Sequence, residues 1–184
     1  DGSGMDDKQL HDELMTIFLA GHETTAMNLT WTWYLLMQHP EIMTRLAEEV
    51  DRVLGDRPAT LADLANLKYT EMVIKESMRL YPPAPSVGRE SIADTQLGGY
   101  PVAKGALLTL SIWGLHRNPK VFPNPEVFDP ERFSPENEKN IPRYGYLPFG
   151  AGPRVCIGNS FALMEARLIL ATMVQHIDMS LVPG

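Results

Sequence analysis

The stretch from Leu14 to Met37 is mostly apolar and long enough to cross a bilayer, so its disposition decides what this chain can be. His22, Glu23, Asn28 and five threonines sit inside it. An ionised glutamate at membrane depth costs several kcal/mol, so the pattern predicts a buried helix of a globular protein instead. The helical spacing extends over Lys8 to Gln38, with Leu10, Leu14, Ile17, Phe18, Gly21, Thr25 and Asn28 on one face. A helix of that length is a rod of roughly 45 Å. His39-Pro40 ends it, because the residue before a proline avoids the helical region.

Three further helices are predicted before the character of the chain changes. One spans Pro40 to Leu54, with Ile42, Leu46, Val50 and Val53 inward and Gly55 as its C-cap. Thr60, with Asp63 three residues on, caps a short helix over Leu61–Leu67. Another covers Thr70–Leu80 and stops at Pro82-Pro83. Ser86–Glu90, Thr95–Leu97, Tyr100–Val102 and Ala106–Ser111 then read as short strands, with Gly98-Gly99 as a turn. A brief helix follows at Ile112–His116. Asn118 to Tyr146 holds six prolines and little period, and reads as an ordered irregular segment. A last helix runs from Ile157 to His176, where Glu165 and Arg167 exclude a membrane span. The fold class is mainly α with a small β portion.

Sixteen Lys and Arg against 23 Asp and Glu leave a net charge of −7, which argues against a nucleic-acid binder, since that needs clustered basic residues. One cysteine excludes an internal disulfide framework. Asp1-Gly2-Ser3-Gly4 has neither the basic start nor the apolar run of a secretory leader. The expected location is cytoplasmic unless an anchor precedes Asp1. The long helix opens the chain with no earlier element to cover it, and Met179-Ser180-Leu181-Val182 reads as a strand just beginning. Residues 1–184 are therefore expected to be a single partial domain of a larger protein.

The one cysteine lies in Phe149-Gly150-Ala151-Gly152-Pro153-Arg154-Val155-Cys156-Ile157-Gly158. A position just before a helix biases a thiol toward thiolate. Gly150 and Gly152 permit a tight turn that would aim backbone N–H groups at the sulfur. Gly158 removes a side chain where something flat could lie, and Arg154 supplies a fixed positive charge nearby. This combination suits a haem iron with anionic propionates. The plainer alternative is a buried cysteine in a glycine-rich turn.

In the long helix, Ala20-Gly21-His22-Glu23-Thr24-Thr25 places small residues where a ligand could approach the backbone. Gly21 costs about 1 kcal/mol of helix propensity, which implies a packing reason. Thr24 can bond back to a carbonyl and bend the helix. Glu23 could simply pair with a Lys or Arg. A His-Glu-x-x-His zinc motif fails because residue 26 is Ala. Glu76 and Arg79 lie three apart on one helix face and can pair. His11, His39, His116 and His176 lack metal-ligand spacing and read as surface or capping residues.

The ten-residue loop resembles the haem-binding loop of the cytochrome P-450 family, the haem-thiolate monooxygenases. Phe149, Gly152, Arg154, Cys156 and Gly158 match its fixed positions. Three further motifs agree in type and order, and the likeness covers essentially all 184 residues as the C-terminal part of such an enzyme. The resemblance implies haem b as cofactor, contacted by Ala20, Gly21, Arg89, Phe149, Gly150, Arg154, Cys156 and Gly158. Cys156 is then the only protein ligand to a metal, and haem iron the only metal. Glu23 and Thr24 match the acid and alcohol of the distal oxygen-activation site. Arg89, in Ser86-Val87-Gly88-Arg89, matches a strand arginine that binds a propionate. Glu76, Arg79 and Arg132, the last in Asp129-Pro130-Glu131-Arg132-Phe133, match a buried network that keeps the haem loop in place. Ala84, Pro85 and Val87 are expected to face the substrate.

The implied activity is a monooxygenase, an oxidoreductase that activates O2 on the Cys-ligated iron and inserts one oxygen atom into a small apolar organic substrate. Electrons would come from NAD(P)H through a separate partner, a reductase or ferredoxin, because no flavin or iron–sulfur motif is present. Nucleic acid is not an expected partner. The alternatives are a peroxygenase of the same fold, a non-catalytic fragment unable to hold haem alone, and a thiol enzyme using Cys156 as nucleophile.

Overall fold

The computed structural model describes residues 4–182. Helix α1 (Asp7–Gln38) starts where the Asp6 carboxylate accepts the Gln9 N–H at 2.7 Å. It ends at His39, whose N–H turns back to the Leu36 carbonyl. Helix α2 (Pro40–Leu54) has proline in its first turn and stops at Gly55, in the left-handed region at φ 55°. A 3₁₀ turn (Leu61–Ala65) carries the expected Thr60/Asp63 capping box. The Arg57 guanidinium and Thr60 hydroxyl hold the Asp63 carboxyl well below the usual carboxylate range.

Helix α3 (Lys68–Leu80) is the centre of the molecule, packed on α1, α2 and the last helix. Ten of its thirteen residues are buried, and the three that are not, Lys68, Glu71 and Lys75, share one narrow face. Val73 and Ile74 meet Leu36, Leu46, Leu67 and Leu170 in one fully buried cluster. Its first turn is capped across the fold. The buried Glu49 carboxylate of α2 accepts from the backbone of Tyr69 (2.7 Å) and Thr70 (2.8 Å) and from the Thr70 hydroxyl (2.8 Å).

Strands β1 (Ser86–Glu90) and β4 (Leu107–Ser111) pair antiparallel, with Ser86 opposite Ser111. Between them β2 (Thr95–Leu97) and β3 (Tyr100–Val102) form a hairpin. Its turn residues Gly98 and Gly99 are both left-handed, which glycine adopts without steric cost. Helix α4 (Ile112–His116) follows β4 directly, capped by the Ser111 hydroxyl. The proline-rich segment is irregular, with a 3₁₀ turn at Pro130–Phe133 and a one-turn helix α5 (Pro135–Glu138). Helix α6 (Asn159–His176) closes the core through Ala166, Leu170 and Ala171.

Three expectations are corrected. The first half of α1 is not buried: Leu10, Leu14, Ile17 and Phe18 are exposed, and burial begins at Thr25. The apolar spacing is real, but the elements packed on α1 cover only its second half. Met179–Val182 forms no strand, because no neighbouring strand pairs with it. Helix α6 begins at Asn159, two residues later than expected, and α3 begins two residues earlier, at Lys68. Among the described residues no helix is long and apolar enough to cross a membrane. Asp1–Ser3 of the expected leaderless start, and Pro183-Gly184, lie outside the described residues.

The Glu49 cap is testable. Glu49→Ala leaves two buried N–H groups without an acceptor and is expected to cost about 3 kcal/mol in urea unfolding. A loss below 1 kcal/mol contradicts this role for Glu49.

Candidate functional site

Glu76 and Arg79, one turn apart on α3, are both fully buried. Arg79 Nε donates to Glu76 Oε2 at 2.7 Å and Nη2 to Oε1 at 2.8 Å. The remaining guanidinium hydrogens go to backbone carbonyls: Nη1 to His116 (3.0 Å) and Pro125 (2.7 Å), Nη2 to Val127 (3.0 Å). All five N–H donors of Arg79 are therefore used. Glu76 Oε1 also accepts the Asp129 N–H at 2.9 Å. Arg132 Nε stands 3.4 Å from the same oxygen, an electrostatic contact without hydrogen-bond alignment, while its Nη2 donates to Asn124 O. Burial pushes the Glu76 carboxyl up, and the arginines and the Asp129 N–H pull it back. The structure thus brings Glu76, Arg79 and Arg132 together.

The Cys156 segment is a turn held by its own backbone. Gly150 N–H reaches Leu147 O (3.1 Å), Val155 N–H reaches Gly152 O (3.1 Å), and Cys156 N–H reaches Phe149 O (3.0 Å). Gly150 and Gly152 both sit at φ 72°, where a side chain would be strained. A Cβ added at Gly158 would stand 3.9 Å from the Cys156 sulfur. Cys156, Val155 and Ile157 are exposed, and Phe161 follows them in the first turn of α6. The expectation that N–H groups of the turn bond the sulfur is corrected. No hydrogen bond to it is found among the described residues, and the Gly150, Val155 and Cys156 N–H groups bond the Leu147, Gly152 and Phe149 carbonyls instead. In this chain Cys156 is exposed, not buried as the plainer alternative expected.

In α1 the Thr24 hydroxyl donates to the Ala20 carbonyl at 2.8 Å, the back-bond its position predicts. Glu23 is exposed and pairs with no cation among the described residues. A Cβ on Gly21 would meet nothing within 4 Å. Arg89 donates only to the neighbouring Gly88 carbonyl, and neither Arg89 nor Arg154 has an acidic partner among the described residues. Ala84 and Pro85 are exposed and Val87 is half-buried. Two cavities, of about 460 and 400 Å3, lie elsewhere, both bordered by Glu49, Arg52 and Lys68, and none of the candidate residues lines them.

His116, read from sequence as a surface or capping residue, is fully buried. Its Nε2 accepts the Leu147 N–H at 2.8 Å, its carbonyl takes Arg79, and its ring lies 5.0 Å from that of Tyr146. Burial lowers its pKa to about 4, helped by the Arg79 and Arg117 charges and opposed by the Met78 and Arg79 carbonyls. Tyr146 donates to the Lys75 carbonyl at 2.8 Å, and burial raises its hydroxyl well above the ordinary range. Lys75 bridges Glu71 and Glu138, and Arg167 of α6 ties to Glu71 at 2.6 Å. Side-chain spacing could not reveal His116, because its partners are backbone groups.

The family model described as Cytochrome P450 matches residues 1–184, the whole chain. The chain belongs to the cytochrome P450 family. Cytochrome P450 4V2 from Homo sapiens is 44% identical over 178 residues, 96% of this chain and 34% of its own length. Protein LUTEIN DEFICIENT 5, chloroplastic, from Arabidopsis thaliana is 44% identical over 186 residues, 100% of this chain and 31% of its own. A Streptomyces melanosporofaciens protein named cyclooctat-9-en-7-ol 5-monooxygenase is 44% identical over 183 residues, 100% of this chain and 40% of its own. The cytochrome P450 chain thus spans between 31% and 40% of the length of these relatives.

Two outcomes follow from the buried network. Glu76→Ala strands the Arg79 charge in the core and is expected to lower stability by about 3 to 5 kcal/mol in urea unfolding. A loss below 1 kcal/mol contradicts the network. His116 is neutral in the fold at pH values where the unfolded chain already protonates it. Its contribution is complete above pH 6.5 and lost as the pH falls toward about 4, a decline of roughly 3 kcal/mol. His116→Gln should flatten the stability profile in that window; an unchanged slope shows that His116 does not titrate as a buried group.

Proposed function

We propose that this chain carries the haem-ligating and proton-delivering residues of a monooxygenase acting on a small apolar organic substrate. The observation that carries the reading is the exposed Cys156 sulfur on a turn that only glycine at positions 150 and 152 can form without strain. Residues 1–184 are read as one partial domain of that enzyme.

The residues present fit a flat, apolar, dianionic group. Phe18, Leu19, Val155, Ile157 and Phe161 present apolar surface to solvent, a combination that a large planar cofactor would cover. Gly21 leaves open space on α1, and Gly158 leaves room beside the sulfur. Arg89 and Arg154 have no acidic partner among the described residues and can take propionates. Cys156 would hold the iron as a thiolate, with Phe149, Gly150 and Ala20 at the edges of the group. Haem b, when bound, supplies dioxygen binding and activation.

Glu23 and Thr24 supply protons. The Thr24 hydroxyl donates to Ala20 O, and its oxygen can accept a hydrogen bond from solvent; it would relay a proton by turning its own hydrogen from Ala20 O toward the acceptor as another is received from water. Glu23 is exposed to water and has no cationic partner among the described residues. Ala84, Pro85 and Val87 would exclude water around an apolar substrate. Glu76, Arg79 and Arg132 hold the segment that leads to the cysteine loop. Electrons reach the site from NAD(P)H through a reductase or ferredoxin. The acid–alcohol pair favours this over peroxide-driven chemistry. The thiol-nucleophile alternative lacks a base, since no histidine nitrogen bonds Cys156 among the described residues.

The reduced, carbon-monoxide-bound protein carrying this chain should show the red-shifted Soret band of thiolate-ligated haem, and Cys156→Ala should abolish it. An imidazole-type spectrum contradicts the assignment. Thr24→Ala should lower product formed per electron several-fold and release peroxide, with electron uptake retained. Unchanged coupling removes Thr24 from the proton path.

A further inference from the structure

We infer that His116 is a positioning residue for the Cys156 loop, a neutral imidazole whose Nε2 fixes the Leu147 backbone to the Glu76–Arg79 pair. This inference rests on the reading of Cys156 as the iron ligand. Its geometry is a continuous series of bonds. Arg79 Nη1 donates to the His116 carbonyl at 3.0 Å, and His116 Nε2 accepts the Leu147 N–H at 2.8 Å. Leu147 O then accepts the Gly150 N–H at 3.1 Å, and Phe149 O accepts the Cys156 N–H at 3.0 Å. Between the α3 pair and the cysteine turn, His116 is the one side chain in this series.

The acceptor at Nε2 fixes the tautomer. The proton must sit on Nδ1, which is buried and faces the Met78 and Arg79 carbonyls without a well-aligned hydrogen bond among the described residues. Phe122 and Tyr146 pack on the ring at 6.4 and 5.0 Å between centroids. The charged groups acting on it are Arg79 from α3, itself paired with Glu76, and Arg117 from its own segment, and the neutral Tyr146 phenol lies on the loop side. Two arginines oppose a third positive charge. Protonation at Nε2 would turn the acceptor into a donor facing the Leu147 N–H, and the tie would open.

The test uses three proteins, each loaded with haem: wild type, His116→Phe and His116→Gln. Phenylalanine keeps the ring and removes the acceptor, whereas a glutamine oxygen can reach the position of Nε2. Amide exchange at Leu147, read by NMR with labelled leucine, should quicken about tenfold to a hundredfold in His116→Phe and return toward wild type in His116→Gln. The acid midpoint at which the thiolate-type absorption is lost should rise in His116→Phe and recover in His116→Gln. Unchanged Leu147 exchange in His116→Phe, or a glutamine variant no better than phenylalanine, overturns the inference. If His116→Phe does not fold, the wild-type Leu147 exchange decides: it should accelerate, beyond the intrinsic pH effect, as acid protonates His116, and no acceleration overturns the tie. If wild type binds haem without a thiolate-type spectrum, the ligand reading fails. The Leu147 exchange then still reports on His116 by itself.

Discussion

A single guanidinium with no free hydrogen organises the molecule. Arg79 is fully buried and spends its five donors on one carboxylate and three backbone carbonyls. Burying a cation is tolerable only when every donor is met and an anion stands beside it. The consequence is geometric. His116, Pro125, Val127 and Asp129 belong to a segment with little regular secondary structure, yet each is bound to α3 through Glu76 or Arg79. A proline-rich stretch that lacks ladders of its own is thereby given fixed coordinates. The cysteine turn follows directly after it and inherits that position.

Helix α3 can play this part because it is surrounded. Its apolar residues meet α1, α2 and α6, its first turn is capped by Glu49 from α2, and Lys75 reaches Glu138 beyond the 3₁₀ turn. The charged residues on its buried face are therefore not exceptions to core chemistry but the means by which distant chain is attached. The cysteine turn, by contrast, presents an exposed sulfur and apolar side chains, and α1 presents an uncovered apolar half. Exposed apolar side chains on these two segments suit contact with a large cofactor.

Much of this was legible in the residues. The cysteine turn could be read because glycines at fixed offsets encode left-handed backbone, and the Thr60/Asp63 box because capping uses side chains. Glu76, Arg79 and Arg132 could be named from resemblance and helical spacing. What completes their network could not, since Pro125, Val127 and Asp129 contribute only backbone atoms. The same reason hid Glu49 and His116: each binds the main chain of a segment distant in sequence. Periodicity also gives the apolar face of a helix without saying what covers it, so Leu10 to Phe18 were expected inside and lie outside. Met179–Val182 has strand-forming residues, but a strand needs a partner, and none pairs with it.

The central claim is a bond between the Cys156 sulfur and haem iron. X-ray absorption at the iron edge of the haem-loaded protein tests it most directly. One sulfur scatterer should appear among the nearest neighbours of the iron and vanish in Cys156→Ala. A nearest shell of nitrogen and oxygen alone in the wild type would contradict the account.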